Sequence, residues 1–298
     1  MSESGVSETG PEADPEAETA GRGACARLVK RYDPDRFLLA IAAPASARPA
    51  LFALYAFNAE VAKTREVVSE AMLGDIRLQW WREAIEECYA GRARRHEVVR
   101  PLAQAIEAHA PDRALFDALI DARARDLDDA PIESVEAFQA YAEATSGGLI
   151  RLAAQILGAE ETPDGAEAAR HVGIAYALTG QIRALPYSLP HRRTLLPREP
   201  LRAAGADEQV MYRAKPDPKI AAGVGALLEQ AEAHLTAARS LRDRVPDAAT
   251  PAFLAARLAT AYVKQLRRVG GDPFDGRLER RPPTRILSLM WGAKTGRW

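Results

Sequence analysis

The chain has 298 residues, 47% of them hydrophobic and 27% charged, with a formal net charge of −1, so it carries enough apolar material for a substantial core. The charge is uneven: residues 1–20 hold six acids and no Lys or Arg, which leaves 40 basic against 35 acidic residues in the remainder. That excess is spread out rather than gathered into a basic stripe with stacking aromatics, so it gives no case for a nucleic-acid partner. The two cysteines, Cys25 and Cys88, are far apart and supply neither a disulfide framework nor a thiolate metal site.

Residues 1–20 lack the basic and apolar regions of a secretory signal and the arginines of a transit peptide, and 1–22 read as a disordered acidic tail. From Ala26 to Arg268 the chain is rich in Ala, Leu, Arg and Glu and poor in β-branched runs, which favours helix throughout. The most apolar run, 38–57, is broken by Pro44, Arg48 and Pro49 and is too interrupted to span a membrane. Helices are predicted over 48–65, then from Ser69 to Gly91, where Met72, Ile76, Trp80, Ala84 and Cys88 recur every four residues as a stripe for the core. Further helices are expected at 112–128, 134–157, 165–186, 217–243 and 249–268, with breaks at prolines and at Gly158. No linker divides the body, so the expected architecture is one all-α bundle over 23–276, followed by a basic segment, 277–298. The expected location is the cytoplasm.

Several patterns carry little. Gly223-Val-Gly225 lacks the third glycine and the preceding strand of a dinucleotide loop. His96, His109, His171, His191 and His234 show no metal-ligand spacing. Asp126, Asp128 and Asp129 lie beside Arg123 and Arg125, where ion pairs are the ordinary reading and a divalent-cation site the alternative.

One stretch is specific. Pro44 and Arg48 precede Leu51-Phe-Ala-Leu-Tyr55-Ala-Phe57-Asn-Ala-Glu60-Val-Ala62-Lys63-Thr-Arg65-Glu66, which resembles the squalene/phytoene synthase family, with its Tyr-Ala-Phe-Cys-Arg run leading into Asp-Asp-x-x-Asp. Trp80/Trp81 through Gly91 and His96, the Asp126-Leu127 pair, and Tyr141 with Ala144-Thr-Ser-Gly-Gly-Leu149 are similar to the family's following segments. Ala175 to Arg183, trailing to Leu195-Leu-Pro197, resembles its second signature, Gln-Leu-Thr-Asn-Ile-x-Arg-Asp-x-x-Glu-Asp. The likeness covers about 31–253, and it implies an isoprenoid-synthase-type helical bundle around a central cavity.

The departures bear on function. Active members of the family join two prenyl diphosphates, and the leaving diphosphate is bridged by Mg²⁺ held between two carboxylate clusters. The first cluster is here Ala62, Lys63 and Glu66; at the second, Arg183 is followed by Ala184, with Tyr187 and Ser188 in the positions of Glu-Asp. No resident metal is expected, Mg²⁺ entering only if the chain is an active synthase. By the same resemblance Arg48, Lys63, Arg65 and Arg183 are candidates for holding an anion such as a diphosphate, and Tyr55, Phe57, Tyr141 and Tyr176 are candidates for lining the cavity or, equally, for core. Lys63 and Arg183 would be buried cations in need of a partner, for Lys63 either Glu66 or the headgroup of an isoprenoid or phospholipid ligand.

The run from Ala56 to Ala62 and the segment Val68-Ser-Glu70 through Gln79-x-Trp81 resemble a divergent branch of the family that acts in assembly of respiratory complex I and shares the loss of the aspartates. That resemblance implies respiratory-complex subunits or assembly proteins as partners, against the alternatives of an active prenyl-diphosphate transferase and of an isoprenoid or lipid carrier. The last segment has six basic residues and Ile286, Leu287, Leu289, Met290, Trp291 and Trp298. It reads as a short closing helix, as a peripheral contact with the cytoplasmic face of the inner membrane, or as both.

Overall fold

Helix boundaries follow local chemistry. Asp33 accepts the Arg36 N–H at 3.0 Å and Pro34 stands at the first helical position, while Asp112, Ser134, Thr162, Asp207 and Asp217 cap later helices in the same way. The structure, a computed structural model, describes residues 15–68, 70–280, 282 and 284–298, with 15–20 and 22 as backbone only. In chain order the helices are α1 (Pro15–Tyr32), α2 (Pro34–Ala42), α3 (Arg48–Ala62), α4 (Thr64–Val67), α5 (Ala71–Tyr89), α6 (Val99–His109), α7 (Arg113–Arg123) and α8 (Val135–Ala142). They continue as α9 (Gly148–Ile156), α10 (Pro163–Ser188), α11 (Arg198–Ala203), α12 (Glu208–Tyr212), α13 (Pro218–Leu241), α14 (Thr250–Phe253), α15 (Ala255–Arg268) and α16 (Arg285–Thr295). No strand occurs among the described residues.

Helix α3 runs through the middle: Leu51 to Val61 is buried without interruption, packed by α1, α2, α6 and α9. Phe57 is wedged edge-on between Trp81 (5.4 Å) and Phe116 (5.3 Å), tying α3 to α5 and α7. On the other side α10 is the spine, lying against α13 and α15 and against a π turn, Glu143–Gly147, that joins α8 to α9.

Three expectations are corrected in detail. The acidic tail was placed over 1–22, but α1 begins inside it at Pro15, a helix-initiating proline followed by good helix formers; residues 1–14 lie outside the described residues. The core stripe of α5 is Gly74, Leu78, Trp81, Ile85 and Cys88, with Ala84 beside it, whereas Met72 and Ile76 are 64% and 60% exposed. A strict four-residue spacing precesses about 40° per step around a helix, so a row that faces the core at Cys88 has turned outward by Ile76. Pro186 does not end α10, which runs on to Ser188. At the chain's end Trp298 is buried against Phe253, ring centroids 4.7 Å apart, and Arg285 bonds Asp35 at 3.1 Å, so these two residues pack α16 on the bundle as a closing helix.

Candidate functional site

The two signature segments approach one another from α3–α4 and from the end of α10. Asp129 links them: it accepts from Arg65 at 3.4 Å and from Arg193 at 3.1 Å. Where the resemblance would put the family's metal-binding acids, the chain has Ala62, Lys63 and Glu66 around the α3–α4 junction, and Ala184, Tyr187 and Ser188 at the end of α10. Glu66 and Tyr187 point to solvent, Tyr187 being 73% exposed. Among the described residues no group of three or more His, Cys, Asp or Glu is placed to hold a metal ion.

The cations are largely engaged within the chain. Lys63 pairs with Glu60, one turn before it on α3, and lies 4.9 Å from the centre of the Tyr32 ring; its partner is therefore Glu60 and not the exposed Glu66. Glu60 is buried and also accepts from Arg77 at 2.6 Å, so one carboxylate holds two cations. Spacing alone allowed either acid, since both lie three residues from Lys63, but Glu60 is on the helix face turned inward. Arg48 donates to the Ala43 carbonyl at 3.0 Å and fastens the turn between α2 and α3.

Arg183 differs. Its guanidinium stacks on Tyr262 at 3.8 Å, and its buried Nε has no hydrogen-bond partner among the described residues. Tyr262 in turn donates to Asp35 at 2.5 Å, and burial together with the Asp35 charge pushes its hydroxyl up to about 12, so it stays a donor. Asp35 also receives Arg285, which ties α16 to α2 over this side of the bundle. The Asp35–Tyr262–Arg285 cluster has no counterpart in the sequence reasoning, because Asp35 lies more than two hundred residues from both partners and none of the three carries a motif.

The four candidate lining residues separate. Tyr55 and Tyr176 meet Arg36, Leu39, Leu149 and Ile150 around a void of about 10 Å³, with the Arg36 guanidinium 5.2 Å from the Tyr176 ring centre. That volume is at the lower limit for one water, whereas small-molecule pockets are roughly 300–1,000 Å³. The expected central cavity is thus filled at this point by aromatic and aliphatic side chains. Phe57 is core. Tyr141 donates to Asp126 and accepts from Arg123, both at 2.7 Å, and faces a separate surface groove of about 380 Å³ bordered by Arg125, Ile132 and Glu133. With Asp126 held this way and Asp128 and Asp129 paired to Arg125 and to Arg65 and Arg193, the three aspartates form ion pairs rather than one cluster.

Two histidines that carried no motif meet across α10 and α13, with His171 Nδ1 and His234 Nδ1 2.7 Å apart. Gln139 reaches His234 Nε2 at 3.2 Å and Glu167 reaches His171 Nε2 at 3.1 Å. Burial and the neighbouring imidazole lower His234 to about 4, so the pair is a neutral interhelical hydrogen bond at pH 7.

An all-α bundle whose two central signature segments face each other defines an isoprenoid-synthase-type protein, and a squalene/phytoene synthase family model matches residues 29–287. The chain belongs to that family. It is 31% identical over 265 residues to NADH dehydrogenase (ubiquinone) complex I, assembly factor 6, of Rattus norvegicus, covering 89% of this chain and 79% of the relative. The Homo sapiens protein of that name is 30% identical over 257 residues, 86% and 77% of the two chains. Among solved structures, squalene synthase HpnC from Alicyclobacillus acidocaldarius superposes with a TM-score of 0.76 at 21% identity, covering 88% of this chain and 98% of its own. A dehydrosqualene synthase in complex with ligand gives 0.80 at 17% identity, covering 95% and 98%. At those identities the two structures speak to fold.

Proposed function

We propose that this chain is a non-catalytic member of its family that acts in assembly or stabilisation of respiratory complex I. The observation that carries the reading is the state of the two signature segments: by the resemblance Ala62, Lys63, Ala184, Tyr187 and Ser188 stand at metal-acid positions, Glu66 alone keeps a carboxylate, and Lys63 is already neutralised by Glu60. A single remaining carboxylate cannot clamp Mg²⁺ from two sides, which takes away the main electrostatic support for diphosphate departure. The filled interior beside Tyr55 and Tyr176 supports the same reading over a prenyl transferase or an isoprenoid carrier. The names borne by the relatives supply the process. Deleting the gene in its native host is expected to lower complex I content on native gels and NADH-driven respiration while squalene and carotenoid levels stay unchanged. Normal complex I with missing isoprenoids would reverse the assignment.

A sharper chemical test uses Lys63→Asp. One restored acid leaves Ala62 and the whole second cluster without carboxylates, so the variant is expected to show no Mg²⁺-dependent consumption of farnesyl or geranylgeranyl diphosphate. Product formed by that variant would mean that the site is far less degraded.

A peripheral membrane contact fits the same role. No helix among the described residues is long and apolar enough to cross a membrane. On α16, however, Ile286, Leu287, Met290 and Trp291 are 49%, 69%, 63% and 48% exposed, with Arg280, Lys294 and Arg297 in the same segment. Apolar side chains with basic neighbours suit an anionic headgroup zone, at about 1 kcal/mol per Lys or Arg near the surface. Full-length protein is expected to co-sediment with anionic liposomes at low salt and to lose this in a Leu287→Ser, Met290→Ser, Trp291→Ser variant. That substitution is cleaner than truncation at 277, which would also strip Arg285 from Asp35 and Trp298 from Phe253. Binding unaffected by salt or by the variant would leave α16 a structural helix only.

A further inference from the structure

A second unpartnered apolar surface lies at the other charge extreme. Val67 at the end of α4 and Met72, Leu73 and Ile76 on the first half of α5 are 55%, 64%, 44% and 60% exposed. Within α5 the last three share one face, at positions i, i+1 and i+4. Their outward direction is fixed by packing on the opposite face. Gly74 sits so close to Leu127 that a Cβ there would lie 2.8 Å from Leu127 Cδ1, and Leu78 and Trp81 continue the buried side. The helix has no room to roll its apolar face inward. Apolar side chains gathered in this way mark interaction surfaces more often than single exposed ones do.

The rim identifies the occupant. Glu66, Glu70 and Asp75 are exposed and make no ion pair among the described residues, whereas the nearby cations are spoken for: Lys63 and Arg77 by Glu60, Arg65 by Asp129. We propose that this acid-rimmed face of α4 and α5 docks a cationic amphipathic segment of a partner protein, its apolar side chains on Met72, Leu73 and Ile76 and its Lys or Arg residues on Glu66, Glu70 and Asp75. An anionic bilayer would meet like charge here, the reverse of the α16 surface. The chain's own residues 1–14, with Glu3, Glu8, Glu12 and Asp14 and no Lys or Arg, would be repelled as well. The surface borders the degenerate first motif, which contributes Glu66 to its rim, and its test does not depend on the complex I reading.

The test titrates the full-length protein with two labelled amphipathic helical peptides, one of Leu and Lys and its counterpart with every Lys replaced by Glu, by fluorescence anisotropy. The Leu/Lys peptide is expected to bind and the Leu/Glu peptide not to. Met72→Ser with Ile76→Ser is expected to weaken binding at least about tenfold, and Glu66→Gln, Glu70→Gln, Asp75→Asn to weaken it and flatten its salt dependence. All five positions are exposed, so unchanged melting curves should accompany both variants. Failure of the Leu/Lys peptide to bind, or equal binding by wild type and variants, overturns the proposal. So does sedimentation showing self-association that Met72→Ser/Ile76→Ser abolishes, which assigns the face to a second copy, or loss of binding to phosphatidylglycerol vesicles in that variant, which assigns it to lipid.

Discussion

Glu60→Ala is expected to lower stability by about 3 kcal/mol, read as a fall in Tm of roughly 6–10 °C. The carboxylate is 8% exposed as a side chain and holds Lys63 at 20% and Arg77 at 32% exposure, so its removal leaves two partly buried cations facing each other without an anion. Breaking a buried pair from one side costs more than the pair contributes, because the stranded charge keeps its desolvation penalty. Lys63→Ala, by contrast, leaves Glu60 paired with Arg77 and is expected to cost about 1 kcal/mol. Thermal melts of the two variants side by side check the argument. A Glu60→Ala shift no larger than that of Lys63→Ala would mean that the cations find water or another acid, and that Glu60 is not the centre of this cluster.

The same cluster shows where sequence reasoning reached and where it stopped. The helical class, the bounds of α3, α10 and α13 to within a few residues, and the family were legible, because they rest on local composition, prolines and contiguous motifs; the helix expected at 249–268 is instead two, α14 and α15. The inward or outward direction of a side chain was legible only where spacing averaged near 3.6; on α5 the four-residue row misled, and the burial of Gly74 against Leu127 could not be read from α5 alone. For Lys63 the sequence pointed to Glu66 or a ligand headgroup and passed over Glu60, which is equally three residues away and which only the fold brings into play. Asp35, Tyr262 and Arg285 were beyond reach, since nothing local marks three polar residues that meet only when α2, α15 and α16 pack together. The likeness of framework also implied an open interior, whereas the void beside Tyr55 and Tyr176 is about 10 Å³, a matter of rotamer and packing that no motif encodes.

The second large effect is expected at Gly173, where α10 crosses the π turn. A Cβ at this position would lie 2.6 Å from Gly147 Cα and 3.0 Å from the Ser146 carbonyl carbon, both main-chain atoms that cannot swing aside. Gly173→Ala should therefore push α10 off the turn and cost about 3 kcal/mol, at the upper end of what overpacking a core costs. The turn is held from its own side as well: Thr145 donates to the Tyr141 carbonyl at 2.7 Å, and Tyr141 is fixed by Asp126 and Arg123. A shift of α10 would thus reach Arg183 and Tyr262 through the helix and Asp126 through Tyr141. Gly180, seven residues along the same helix, supplies the internal control, because it is exposed and a Cβ there meets nothing within 4 Å. Alanine at Gly180 should stabilise by about 0.5–1 kcal/mol through helix propensity alone. Opposite shifts in Tm from the same substitution on one helix would isolate the close approach as the cause; equal shifts would mean that the α10 crossing has slack the packing does not show.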